Sequence, residues 1–106
     1  MTAKMAVVAH GGAGSGLARQ TNLQVAVDVA SKLLLSGASA VEAAVEACVI
    51  LEDDPVFNAG TGGVFRIDGS VLLDASIQTS DGSLGFVIAM KETPNPVSYT
   101  HLRAHE

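Results

Sequence analysis

Charge is scarce in this chain of 106 residues: Asp, Glu, Lys and Arg together make up 16%, with 6 basic against 11 acidic residues and a net charge of −5. No basic run occurs anywhere, which argues against binding along a phosphate backbone, so nucleic acid is not an expected partner. Aromatic residues make up 4%, and tryptophan is absent, so any core must be built from Ala, Val, Leu and Ile. The single cysteine, Cys48, excludes an internal disulfide. A charge-free stretch of about 20 residues, the length a membrane span needs, is also missing. Met1-Thr2-Ala3-Lys4 leads into an apolar run too short for the hydrophobic region of a signal peptide, and the expectation is a cytoplasmic protein.

What is present is apolar material, 48% of the chain, too much for a disordered segment. The length suits one small domain or part of one. Met5 to Ala9 is an unbroken apolar run that reads as a strand buried on both faces, and it ends at the glycine loop His10-Gly11-Gly12-Ala13-Gly14-Ser15-Gly16. Thr21 with Gln24 matches a capping box, followed at helical spacing by Leu23, Ala26, Val27, Ala30 and Leu34, and Gly37 stops that helix. Ser39 with Glu42 opens a second helix, with Val41, Ala44, Val45 and Cys48 on its apolar face. From Asp53 the pattern breaks into an irregular, ordered loop, Asp53 to Gly63. Val64 to Ile67 and Val71 to Ala75 flank Asp68-Gly69, which predicts a tight hairpin with positive φ at both central positions, and Asp81-Gly82 leads into a further strand, Leu84 to Met90. Strand, two helices and an antiparallel meander make an α+β chain, with helices on one sheet face and the other face in need of cover.

Each candidate site has a plainer reading beside it. The first glycine loop lacks the lysine of a P-loop and the spacing of a dinucleotide fingerprint, so phosphate binding is weak against a tight turn with positive φ at several positions. Asn58 in Asn58-Ala59-Gly60-Thr61-Gly62-Gly63 carries a carboxamide able to donate to an oxyanion or to pin another backbone segment, against simple turn chemistry. Glu52-Asp53-Asp54 lacks the alternating spacing of a calcium loop and reads as a solvated helix end, although backbone carbonyls there suit a monovalent ion. His101 and His105 have helical metal spacing but no third ligand. Cys48 reads as a core residue, and Asp74 as a buried polar anchor with no partner for acid-base work.

The order of these pieces carries a resemblance. His10-Gly-Gly-Ala-Gly after the first strand, Ala43 to Glu52 as AAVEACVILE, Asp54-Pro-Val-Phe-Asn-Ala-Gly-Thr-Gly, Leu73-Asp-Ala-Ser-Ile and the run to Asn95-Pro96 resemble the plant-type asparaginase and isoaspartyl peptidase family of N-terminal-nucleophile hydrolases. The resemblance implies the N-terminal half of an αββα sandwich in residues 1–97, with 98–106 an unrelated tail of artefactual origin. It also implies an enzyme that cuts itself in two and attacks asparagine or a β-aspartyl dipeptide with the new amino-terminal threonine of its second half. No segment matching that threonine occurs here, and Thr2, the internal alternative, sits among residues that match the family's first strand. The chain is therefore expected to be inactive alone, with its C-terminal (β) half as missing partner, a small amide as substrate and a dimer of such units as the assembly. The alternative is a non-catalytic scaffold subunit that pairs with a separate β subunit.

For individual residues, the resemblance places His10, Gly11 and Gly12 beside the nucleophile and gives Asn58 the task of holding the cleavage-competent geometry. It implies no cofactor other than a structural sodium on backbone oxygens of Leu51, Glu52, Asp54, Phe57, Ala59 and Thr61.

Overall fold

A computed structural model of the chain describes residues 4–13, 16–91, 94–98 and 100. Two helices follow one another, α1 (Gln20–Leu35) and α2 (Ala40–Asp53), and the chain then forms one antiparallel hairpin, β1 (Leu73–Gln78) and β2 (Leu84–Met90). The chain is thus a mixture of helix and a small antiparallel sheet, as α+β composition requires. No helix among the described residues is long and apolar enough to cross a membrane.

The start of α1 differs from expectation. A 3-10 turn, Leu17–Arg19, winds the chain into the helix early, Arg19 takes the N-cap position without a side-chain cap, and Thr21 falls inside the first turn. Gln24 is left to donate to Asp28 Oδ1 along the helix surface at 2.8 Å. The other end behaves as Gly37 demands. Its φ of 99° continues a Schellman closure in which Gly37 N–H donates to the Leu34 carbonyl at 3.1 Å and Ala38 N–H to that of Leu33 at 3.0 Å. Ser39 caps α2 as expected, its Oγ accepting the Glu42 N–H at 3.1 Å.

The helices meet along alanines. Ala26 and Ala30 of α1 pack on Ala43 and Ala47 of α2, with Val7, Leu33, Leu34, Ile50 and Leu51 partly buried around them. The buried stripe of α2 is therefore not Val41, Ala44, Val45 and Cys48; Ala44 and Cys48 are exposed. Apart from Glu42, Glu46 and the terminal Glu52 and Asp53, α2 is apolar all round, so periodicity left several faces open, and the methyl-only stripe won because it lets two helix backbones approach closely. Each buried methyl contributes on the order of 0.8 kcal/mol, so this seam is a small core.

The extended run Met5 to Ala9 forms no strand ladder, and Met5 and Val8 are exposed, with only Val7 reaching the helix seam. A strand buried on both faces needs neighbours, and no described strand lies beside it. Val64 to Ile67 likewise stays outside the sheet. The two Asp-Gly turns are built alike but not as expected: in Arg66 to Ser70 and Thr79 to Ser83 only the glycine has positive φ, 84° and 90°. Arg66 N–H donates to the Ser70 carbonyl at 2.7 Å and Thr79 N–H to the Ser83 carbonyl at 3.0 Å, so each glycine closes a three-residue loop. The aspartate accepts the N–H of the following serine, at 2.9 Å in both cases, and the Ser70 hydroxyl and N–H together hold the Asp68 carboxyl below its ordinary pKa.

Within the hairpin Ala75 pairs with Val87 and Leu73 with Met90, so β2 carries one extra residue opposite Asp74. The bulge sets Ala89 at a φ of 55°, and its N–H donates to Asp74 Oδ1 at 2.7 Å. Asp74 is a polar anchor, but an exposed one. No Cα of either helix approaches a strand within 8 Å, so the expected helical layer on the sheet is not seen; Leu73 and Val71 lean on the loop at Gly63 instead. The opposite sheet face presents Leu84, Phe86 and Ile88, all more than half exposed. The total accessible surface of 7347 Å² compares with roughly 5,500 Å² for a self-contained chain of this mass.

That surface generates an expected outcome. The chain binds a hydrophobic dye such as ANS at neutral pH, and the triple change Leu84→Thr, Phe86→Thr, Ile88→Thr lowers the fluorescence by about half without changing helix content by circular dichroism. Undiminished fluorescence would locate the dye elsewhere.

Candidate functional site

The two glycine loops come together. An open cleft of about 580 Å³ has His10 to Ala13 on one wall and Val56 to Ala59 on the other, with Leu51 and Arg19 completing it. His10, Gly11, Gly12 and Asn58, far apart in sequence, thus line a single cavity.

The first wall is shaped by its own histidine. Gly12 N–H donates to His10 Nδ1 at 3.0 Å, so that nitrogen is the unprotonated one and a neutral ring carries its proton on Nε2. Among the described residues of this loop only Gly12 has positive φ, 102°, where several such positions were expected.

The second wall hangs from the end of α2. Asp54 Oδ1 accepts the Val56 N–H at 3.1 Å, while its Oδ2 accepts from Asn22 Nδ2 of α1 at 2.9 Å, so one carboxylate turns the loop and ties it to the first helix. Asn58 Oδ1 accepts the Val64 N–H at 3.0 Å. The carboxamide therefore pins backbone through its oxygen and keeps its NH₂ as a donor at the exposed rim. Thr61 N–H donates to the Glu52 carbonyl at 2.7 Å, folding the loop back onto the helix. Gly60 passes through the narrowest point: a Cβ there would lie 1.9 Å from the Pro94 carbonyl oxygen and 2.6 Å from that of Glu52.

Glu52 is not part of a solvated helix end. It is 6% exposed, its Oε2 accepts the Val97 N–H at 3.0 Å and its Oε1 accepts from Asn95 Nδ2 at 3.4 Å. Burial pushes its pKa up, and the Val97 and Asn95 donors oppose that rise. Asp53 remains exposed and shares Asn95 Nδ2 at 2.9 Å.

The six residues expected to offer backbone oxygens to a sodium ion lie along this loop and the last turn of α2. An all-oxygen carbonyl set suits a hard cation. The Glu52, Asp54 and Phe57 carbonyls each already accept one backbone N–H, which leaves each a second lone pair. Among the described residues no group of three or more His, Cys, Asp or Glu side chains is placed to hold a metal. His101, His105 and Thr2 lie outside the described residues, and the boundary expected after residue 97 falls within a helical turn over 96–98 and 100. Cys48, expected in the core, is an exposed residue whose thiol pKa is raised by partial burial and by the Glu52 charge, the opposite of what activates a nucleophile.

Sequence reasoning passed over Arg19, Asn22 and Asn95. Arg19 is half-buried on the cleft and is the only basic residue between Lys4 and Lys32, which was a readable signal. Asn22 and Asn95 act across more than thirty residues of sequence, and spacing carries no trace of that.

Comparison with known proteins places these loops in a family context. Residues 3–105 match the family model described as asparaginase. The chain is 44% identical over 102 residues to an isoaspartyl peptidase/L-asparaginase of Nostoc sp., covering 86% of this chain and 31% of that protein. It is 40% identical over 103 residues to the isoaspartyl peptidase/L-asparaginase of Bos taurus, and 36% identical over 101 residues to the plant-type L-asparaginase of Pyrococcus abyssi, covering 33% of each. The chain therefore spans about a third of the length of the curated relatives it matches.

Two measurements check this geometry. Gly60→Ala lowers stability to urea by at least about 2 kcal/mol, because backbone carbonyls rather than a flexible side chain must give way. Gly16→Ala, with open space around its Cβ, changes it by less than about 1 kcal/mol. Alkylation of Cys48 by iodoacetamide rises with pH through a midpoint above that of an unperturbed thiol, and a midpoint at or below it would contradict the environment described.

Proposed function

The chain belongs to the asparaginase family, and we propose on that premise that it forms the site-framing part of an amidohydrolase acting on L-asparagine and β-aspartyl dipeptides. The observation that supports this reading is the convergence of the two glycine loops on one cleft, which brings His10, Gly11, Gly12 and Asn58 to the same cavity. In this reading the nucleophile is an amino-terminal threonine outside these residues, exposed by self-cleavage, and it enters between the two walls.

The chain's own residues then act by position and by donation. The Gly12 to His10 hydrogen bond fixes the first wall. Asn58, held through its oxygen by Val64, offers its NH₂ to an oxygen that gains negative charge as the amide is attacked. Arg19 supplies the positive charge of the cleft. We assign the backbone oxygens of Leu51, Glu52, Asp54, Phe57, Ala59 and Thr61 to a structural sodium ion, whose contribution is to stiffen the loop that carries Asn58.

The test is turnover with and without the remaining two thirds. The 106-residue chain alone hydrolyses neither asparagine nor a β-aspartyl dipeptide above background, whereas the chain joined to the corresponding remainder of the Nostoc relative releases ammonia from asparagine. In that hybrid Asn58→Ala lowers kcat by about 10² to 10³ if the carboxamide donates to the developing charge. Robust turnover by the lone chain would overturn the proposal.

A further inference from the structure

Of the groups left unassigned by the proposed chemistry, the buried carboxylate of Glu52 is held in the most detail. Three segments meet there: the last turn of α2, the glycine loop, and the helical turn that begins at Pro96. Glu52 reaches the glycine loop through its backbone, its carbonyl accepting the Thr61 N–H at 2.7 Å. It reaches the other segment through its side chain, which accepts the Val97 N–H at 3.0 Å and Asn95 Nδ2 at 3.4 Å.

The capping at Pro96 is unusual in a way that carries consequence. Ser98 N–H donates to the Asn95 carbonyl at 3.3 Å, so Asn95 stands where an N-cap stands and Pro96 takes the first helical position. Yet the Asn95 side chain turns to Glu52 and Asp53, and the first-turn N–H of Val97 is satisfied by a carboxylate of another helix. Pro96, Val97 and Thr100 are buried, and the Thr100 hydroxyl closes back on the Pro96 carbonyl at 3.0 Å. Pro94 meanwhile presents its carbonyl to Gly60.

We infer that Glu52 is a positioning residue that couples the segment 94–98 to the glycine loop carrying Asn58, so the shape of the cleft depends on a stretch of chain that does not line it. If that segment shifts, the buried carboxylate loses its donors. An unsatisfied buried charge is costly, so the end of α2 must follow, and with it the carbonyl that holds Thr61. Thr61 lies between Asn58 and Val64, the two ends of the bridge that fixes the cleft wall. This inference rests on reading the glycine loop as the candidate site, but its test needs no turnover, so either can fail alone.

The experiment is amide hydrogen exchange on the 106-residue chain, comparing the unaltered protein with Glu52→Ala, Glu52→Gln and Asn95→Ala. Glu52→Ala speeds exchange at Thr61 and Val64 by about tenfold or more while Ala30 and Ala47 in the helix seam stay within about twofold. Glu52→Gln, which keeps an acceptor for the Val97 N–H, restores most of the protection. Asn95→Ala, which leaves Glu52 in place, speeds the same two amides by about threefold from the far side of the junction. Unchanged Thr61 and Val64 in Asn95→Ala would overturn the coupling, whether or not Glu52→Ala folds. Equal acceleration of loop and helix amides would also overturn it, because Glu52 would then be a general stability residue.

Discussion

Gly60 threads between the carbonyls of Glu52 and Pro94, and that close approach of backbone to backbone is the constraint on which the cleft depends. Only a residue without a Cβ fits. Because it fits, the loop after α2 can fold back far enough for Thr61 to bond the Glu52 carbonyl, and Asn58 is brought within reach of Val64. Asp54 supplies the second restraint by tying the loop to Asn22 of α1. The loop thereby inherits the rigidity of a helix pair although it has no regular structure of its own. A wall of this kind holds a carboxamide at a defined place better than a mobile loop does, since the entropy of ordering is met before any ligand arrives.

The helix pair itself is economical. Four alanines form its seam, which brings two backbones close but removes little apolar area from water. The bulky aliphatics lie elsewhere, and many remain exposed: Val8, Leu35, Phe65 and Ile67, and the row Leu84, Phe86, Ile88 on the hairpin. Alternation along β2 puts that row on one face, with Ser76 and Gln78 of β1 opposite Phe86 and Leu84. A sheet face of this composition is suited to contact with another apolar layer.

Much of this was legible in the residues, and the larger failures share a physical cause. Ser39 with Glu42 and Gly37 announced their structures, and Asp81-Gly82 the place of its hairpin though not the conformation of its aspartate, because each is a local device whose partners lie within four residues. The family resemblance rested on the order of such devices. The matching family model and the relatives bear that resemblance out. Where the reading failed on the larger elements, the deciding partner was distant or absent, whereas at Thr21 and at the Asp-Gly turns a local device took another form. The face of α2 was chosen by alanines of another helix, and periodicity could not rank one apolar stripe above the next. The first apolar run asked for strand neighbours that no described segment supplies. Glu52 looked solvated beside Asp53 and Asp54 because its partners, Asn95 and Val97, lie more than forty residues away.

The chemistry of the cleft follows from what its walls offer. His10 Nδ1 is occupied by the Gly12 N–H, and the Asn58 oxygen by the Val64 N–H. Among the side chains lining the cavity, the Asn58 NH₂ and the Arg19 guanidinium offer donor capacity. Donors stabilise negative charge as it develops, but they do not attack a carbonyl or take up a proton. Cys48, the one strong nucleophile type in the chain, is absent from the cleft lining, and partial burial and the Glu52 charge push its thiol pKa up. Donors held between two glycine loops are compatible with the division of labour proposed for this chain.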